Sequence, residues 1–266
     1  MVAAVPLPVR AGAIVLAFLL IVLMLAPLAV VVVSSFSASE FLVFPPRGWS
    51  LRWYAEILGS GEYLEAARTS LLLALVATSV AVGVGVPAAV ALARYRVRGG
   101  AALQAAFLAP LVLPTIILAI GLLMVLSRQL GGSSFWGLAM GHGVVTMPYV
   151  VRTAMAVIQT ADPRLEEAAR TMGAGFWPTL FLVTLPQARP GIVAGAFLAF
   201  NISFDEAVLA LFLRTPELVT LPVVIYSKLE FSPDPSVAAL ASLMIGLTAV
   251  LVLLTERAIG LGRLAA

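Results

Sequence analysis

The sequence predicts an all-α membrane protein with six transmembrane helices, and three observations lead there. Hydrophobic residues make up 62% of the 266-residue chain and charged residues 11%, against about 45–50% and 25% in soluble domains. A soluble fold of this size needs surface charge that this chain lacks. The apolar residues also fall into six stretches, each near the roughly 20 residues that a helix needs to cross the hydrocarbon core. Finally, arginines gather in alternate intervening segments, as the positive-inside rule requires of a multi-pass protein.

The first stretch covers about residues 11–33, between Arg10 and Ser37-Ala38-Ser39. Its apolar run exceeds the ~7–15 residues of a signal-peptide core, so an uncleaved anchor is expected. The second covers 69–93. Its Gly83-Val84-Gly85 loosely imitates a dinucleotide fingerprint, but inside a span small residues serve close helix packing. The third covers 101–126 and the fourth 135–158, and Pro110 and Pro114 in the one and Pro148 in the other are expected to bend the helices. The fifth covers 190–213 and the sixth 237–255. Gly137 with Gly141, and Gly191 with Gly195, are small-x3-small pairs suited to close helix approach. Thr171–Ala188 is also free of charge, but Gly173, Gly175, Pro178 and Pro186 interrupt it and the next span follows at once. It reads as interfacial or buried loop, and the chain as one transmembrane domain, residues 1–266.

An even number of spans puts both termini on one side. With that side internal, the internal segments carry Arg10, the cluster Arg94, Arg96 and Arg98, then Arg152, Arg164, Arg170, Arg189, Arg257 and Arg263. The external ones carry Arg47, Arg52, Arg68, Arg128, Arg214 and Lys228. The bias places both termini and the loop 159–189 in the cytoplasm. The net charge of +3 follows from this bias and does not call for nucleic acid. With no cysteine and a single histidine, a thiolate centre is excluded and a metal site is not expected. No nucleophile–base constellation is visible, so no catalytic residue is assigned.

The loop 159–189 carries the strongest local pattern. Asp162-Pro163 is a helix start, with Asp as N-cap and Pro in the first turn. Glu166 and Glu167 sit near the positive end of the helix dipole, and Gly173 is placed to stop the helix in a left-handed conformation. Leu165, Ala168, Ala169 and Met172 fall at i, i+3, i+4 and i+7, an apolar stripe opposite Arg164, Glu167, Arg170 and Thr171. Such a short amphipathic helix suits either a lipid surface or a protein partner.

Glu167-Ala168-Ala169, three residues, Gly173, nine residues, then Val183-x-Leu185-Pro186 resembles the EAA signature of ABC importer permeases, with Val183 where the family usually has Ile. The resemblance implies the MetI-like fold of type I importers and a coupling helix that docks on a separate ATPase subunit. Leu165, Ala168, Ala169 and Met172 would then form the docking face, Glu166 and Glu167 would meet ATPase side chains with Arg170 in the same segment, and Gly173 would turn the chain between two short helices. ATP and Mg would be bound by the partner and no cofactor by this chain, whose only lysine, Lys228, lies outside any phosphate-binding Gly-x4-Gly-Lys context. A second, homologous permease subunit and an extracytoplasmic solute-binding protein are further implied partners, besides membrane lipid, and the bacterial inner membrane is the implied location.

Leu51-Arg52-Trp53-Tyr54, His142 with Met147-Pro148-Tyr149, Ser203-Phe204-Asp205-Glu206, and Leu221-Pro222 with Ile225-Tyr226-Ser227 look like the spermidine/putrescine branch of these permeases. A polyamine or related organic cation is the implied cargo. Carboxylates inside a span are costly and usually face a bundle interior or a water path, so Asp205 and Glu206, with Ser203, are candidate substrate-path residues. Trp53 and Tyr54 are candidates for stacking on a cation, or else members of an interfacial belt. His142 reads as a helix-packing hydrogen-bond donor. The alternatives are an importer permease for another small solute, such as an opine, ferric iron or an oxyanion, and a secondary transporter or channel acting alone, which has no use for a coupling helix.

Overall fold

A computed structural model describes residues 6–129 and 133–259; Arg263, counted above among the internal arginines, lies outside them. Every regular element among the described residues is helical, and paired extended chain occurs there only as isolated bridges. The chain forms two compact units, Met1–Gly61 with Ser227–Gly246, and Glu62–Tyr226 with Leu247–Ala266.

In the first unit, α1 (Leu7–Ser34) is apolar and exposed over most of its length. A bilayer solvates such a surface, whereas water does not. After it the chain turns back through an isolated bridge between Ser37 and Trp49 into the short α2 (Arg52–Gly59).

In the second unit, α3 (Gly61–Arg94) is followed by α4 (Gly100–Leu108), α5 (Thr115–Gln129) and α6 (Phe135–Thr160). Between α4 and α5 lies a 3-10 turn over Ala109–Leu111, and the two arms of this third apolar stretch diverge by 101°. Pro110 and Pro114 account for the break, since neither has an N–H to donate. The expected bend is present, and it divides the stretch into two helices. Ser134 caps α6 by accepting from the Gly137 N–H at 3.2 Å.

Beyond α6 come α7 (Arg164–Thr171) and a helical run that opens as α8 (Phe176–Thr179), loosens into a π turn at Leu180–Thr184 and continues as α9 (Leu185–Asp205). The segment up to residue 189, read from sequence as loop, is therefore mostly helix. Pro178 falls in the first turn, where a missing N–H costs nothing. Pro186 is accommodated by the π turn before it, which moves the carbonyl that its ring would strike. This helical run extends the fifth span and adds no seventh. It ends at Asp205, and α10 (Val208–Leu213) restarts after Glu206, whose backbone is extended. The last helices are α11 (Leu221–Phe231) and α12 (Pro235–Ile259).

Among the described residues four helical runs, Val9–Ser34, Gly61–Arg94, Phe176–Asp205 and Pro235–Arg257, are long and apolar enough to cross a membrane, and six are if α4 with α5, and α6 with α7, each count as one. The fold is that of an all-α membrane protein.

Helix α6 is the centre of the second unit. Leu138 and Ala139 pack with α3, α5 and α10, while Ala154, Met155 and Ile158 pack with Ala89, Val90 and Ala188. The α6–α9 seam is the tightest part. A Cβ built at Gly191 would lie 2.6 Å from the Thr153 carbonyl oxygen, and one at Gly195 would lie 2.8 Å from Val150 Cα and strike Thr153 Oγ1. Gly85 likewise meets Val150 at 3.2 Å, while Gly83 has nothing within 4 Å. Gly85, Gly191 and Gly195 are thus packing devices, and Gly83, expected to serve close packing as well, is not. Gly195→Ala is expected to cost about 1–3 kcal/mol, read as a lowered thermal midpoint of the purified protein in detergent. Gly83→Ala should leave the midpoint unchanged or slightly raised.

Candidate functional site

Helix α7 hangs between α6 and the α8–α9 run, bent 73° from α6. Its start is fixed by Asp162, whose carboxylate accepts from the Arg164 N–H at 2.9 Å, while the Pro163 carbonyl accepts from Glu166 and Glu167. Its end is fixed by Gly173 at φ +90°. The Gly173 N–H donates to the Arg170 carbonyl and the Ala174 N–H to the Ala169 carbonyl, each at 3.0 Å. These two bonds close the helix in a Schellman stop. The space around Gly173 is open, so the requirement for glycine there is conformational.

The two faces of α7 differ. On the inner face Glu166 is 6% exposed and Ala169 8%. The Glu166 carboxylate accepts from Arg94 Nε at 2.9 Å, and the same guanidinium donates through Nη2 to the Ala161 carbonyl at 3.2 Å. One arginine at the end of α3 thereby holds both the end of α6 and the first turn of α7. On the outer face Leu165 is 53% exposed and Met172 83%, with Glu167, Ala168 and Arg170 also exposed. The apolar stripe expected from periodicity is therefore divided, and of the two glutamates expected to meet a partner's side chains Glu166 is instead paired inward with Arg94 while Glu167 is exposed. Leu165, Ala168 and Met172 face outward, while Ala169, which at about 100° per residue lies between Leu165 and Glu166, is drawn inward by the ion pair beside it.

At the other end of α9, Ser203 is buried and its Oγ lies 2.9 Å from His142 Nδ1, joining α9 to α6. His142 is buried as well, and its carbonyl accepts from Thr146 Oγ1 at 2.8 Å. The helix-packing reading of His142 matches this geometry, and Ser203 shares it as the second half of a seam contact. Two residues on, the helix breaks. The Glu206 carboxylate accepts from the Val208 and Leu209 N–H groups at 2.9 and 3.1 Å, capping α10. Asp205, the last residue of α9, is exposed.

Trp53 and Tyr54 lie in the first unit and are engaged there. The Trp53 indole N–H donates to the Ser37 carbonyl at 3.0 Å, and the Arg52 guanidinium stands 4.4 Å from the centre of its ring. The Tyr54 hydroxyl is 2.6 Å from Ser35 Oγ, and its ring lies 5.4 Å from Phe36. The cation-stacking position on Trp53 is thus taken by the chain's own arginine. Among the described residues no group of three or more His, Cys, Asp or Glu side chains is placed to hold a metal ion.

Arg94 was counted in the sequence for topology alone; its clamp joins residues 72 positions apart, and no local pattern announces it. The His142–Ser203 contact is equally long-range, its one sequence signal being a lone histidine inside an apolar span.

The family described as "Binding-protein-dependent transport system inner membrane component" matches residues 81–259. The chain is 34% identical over 233 residues to the spermidine/putrescine transport system permease protein PotC of Escherichia coli strain K12, covering 86% of this chain and 87% of that protein. It is 33% identical over 228 residues to the putrescine transport system permease protein PotI of the same strain, covering 83% and 81%. Among solved structures, a bacterial ABC transporter involved in import of the acidic polysaccharide alginate shares the fold with a TM-score of 0.69 at 18% identity, covering 95% of this chain and 98% of that one. The MetNI methionine ABC transporter in an inward-facing conformation does so with a TM-score of 0.63 at 18% identity, covering 74% and 94%.

The clamp on α7 is testable. Removing one partner of a mostly buried ion pair costs about 3–5 kcal/mol, so Glu166→Ala should free α7 and increase proteolytic cleavage between Ala161 and Gly175. Exchanging the charges, Arg94→Glu with Glu166→Arg, should restore part of the protection.

Proposed function

The chain belongs to the family of inner membrane components of binding-protein-dependent transport systems, the permease components of ABC importers, and from that premise we propose that α7 is the element through which a partner ATPase drives solute passage. One observation carries this reading. A short helix presents exposed Leu165, Ala168 and Met172 outward, while its opposite face is bolted to α3 through Glu166 and Arg94. A surface that is apolar, projecting and rigidly mounted suits the groove of another protein, because little conformational freedom remains to be lost on docking. ATP and Mg belong to that partner in this reading. A second permease subunit and an extracytoplasmic binding protein complete the importer, and the chain acts as one permease domain with both termini and α7 in the cytoplasm.

The proposed cargo is a polyamine or a similar organic cation, and the similarity to the two polyamine permeases over most of the chain supports it. The fold does not decide the matter, since one of the structures sharing it belongs to a transporter of an acidic polysaccharide. Asp205 is the carboxylate best suited to meet a passing cation. It is exposed at the break after α9, whereas the Glu206 carboxylate is occupied by two backbone N–H groups. Trp53, Tyr54 and Ser203 contribute by holding their surroundings in place.

Ala168→Asp puts a charge on the exposed face of α7 without touching the clamp. It should abolish co-purification of the ATPase while leaving the permease inserted at normal yield; undiminished co-purification would remove the docking assignment. Gly173→Val, at about 1–2 kcal/mol for the left-handed conformation, should uncouple ATP hydrolysis from uptake even where some ATPase stays bound.

Neutralising Asp205 tests the cargo separately. Asp205→Asn should lower putrescine or spermidine uptake about tenfold, the equivalent of ~1.4 kcal/mol, with ATPase association intact. Unchanged uptake would exclude a carboxylate path at this position.

A further inference from the structure

Beside the clamp, α3 and the α8–α9 run leave an apolar groove of about 340 Å³. One wall is α3 from Val86 to Ala91, the other is formed by Phe176, Trp177 and Phe181, and Tyr95 lies at the end next to Arg94. The aromatic wall is continuous, with the Tyr95 and Phe176 rings 6.5 Å apart, Phe176 and Trp177 5.0 Å apart, and Trp177 stacked on Phe181 at 6.0 Å. Trp177 is 63% exposed, so the groove opens outward.

Depth and charge together say what fills it. Arg94 to Arg98 end the span and belong at headgroup level, while Val86 lies eight residues, or about 12 Å, further along the helix. The groove thus runs from the headgroups into the hydrocarbon. No acidic side chain lines it. Arg94 is neutralised by Glu166, but Arg96 and Arg98, on the exposed turn beside Tyr95, remain open to solvent. A ligand with an acyl chain below and a negative charge above matches both ends; a zwitterionic lipid lacks the net charge, and a free anion has no use for the apolar slot.

We propose that this groove is a binding site for one anionic phospholipid, its acyl chain lying between α3 and the aromatic wall and its phosphate held by Arg96 and Arg98. The site is independent of the cargo and of the ATPase partner. It abuts the coupling loop, because Phe176 begins the wall three residues after the Gly173 turn.

The test uses the full chain in a neutral detergent, titrated with phosphatidylglycerol or phosphatidylcholine and read by native mass spectrometry. One phosphatidylglycerol should be retained with about 25-fold preference, at about fivefold for each exposed arginine. The double variant Arg96→Gln, Arg98→Gln should reduce that preference to within about twofold. Trp177→Ala, on an exposed side chain, and Ala91→Phe, which fills the slot, should weaken retention of both lipids while the thermal midpoint shows that the chain is folded. Equal retention of the two lipids by the unaltered chain, or retention unmoved by both groove variants, would overturn the site. So would efficient cross-linking from Trp177→Cys to a second permease chain in membranes, because the groove would then be covered by protein.

Discussion

The close approach of α6 and α9 is the contact on which the rest of the second unit depends. In lipid, two apolar helices gain no hydrophobic free energy by meeting, so association rests on packing and on the hydrogen bonds that packing allows. Gly191 and Gly195 bring the α9 backbone against Val150 and Thr153 at distances that no Cβ would permit, and His142 with Ser203 adds a hydrogen bond further along. The chain that joins the two helices carries α7, and the break after Asp205 lies at the far end of α9. The 30 residues of the run Phe176–Asp205, about 45 Å at 1.5 Å per residue, separate them. A load applied at α7 therefore meets a packed, contiguous element that ends where the proposed carboxylate stands. No flexible linker intervenes, because the Schellman stop and the α8–π–α9 run keep the path helical apart from the short turn at Gly173–Gly175.

Arg94 sets how firmly α7 is mounted for the proposed coupling. As a charge at the end of a span it serves topology, and as a donor to Ala161 and Glu166 it fixes the angle at which α7 leaves α6. An amphipathic helix without this anchor would settle its apolar stripe on the lipid surface, the alternative that periodicity left open. The ion pair turns the Glu166 and Ala169 face inward and leaves Leu165, Ala168 and Met172 projecting. The same interaction that removes Ala169 from the exposed stripe fixes the direction in which the remaining stripe projects.

Much of this was legible in the sequence, for reasons that are local. The ends of α7 follow from Asp162-Pro163 and Gly173, whose effects act within a turn, and the close helix approach follows from glycines four residues apart. The helix over 176–189 is hidden in the sequence because Pro178 and Pro186 have the character of breakers, whereas the first is harmless in an opening turn and the second is absorbed by a π turn that no spacing rule anticipates. The roles of Trp53, Tyr54, Ser203 and Arg94 were not legible because each depends on a partner distant in the chain: Ser37, Ser35, His142 and Glu166. Composition can say that an aromatic or a hydroxyl is available; it cannot say that the fold has already used it.

The same distinction bears on the two adjacent carboxylates. A helix that ends within a membrane protein leaves backbone N–H groups at the start of the next helix without intrahelical partners, and each is costly to bury unpaired. Glu206 meets two of them at the start of α10, so its presence is explained by the break itself and requires no cation. Asp205, exposed at the end of α9, has no comparable backbone role and stands at the end of a helix, where the dipole disfavours a negative charge. A carboxylate placed against the helix dipole is stabilised by an arriving positive charge more than Glu206 is, whose charge is already shared with two donors. The pair written together in the sequence therefore divides in the structure into one residue that builds the break and one that the break presents.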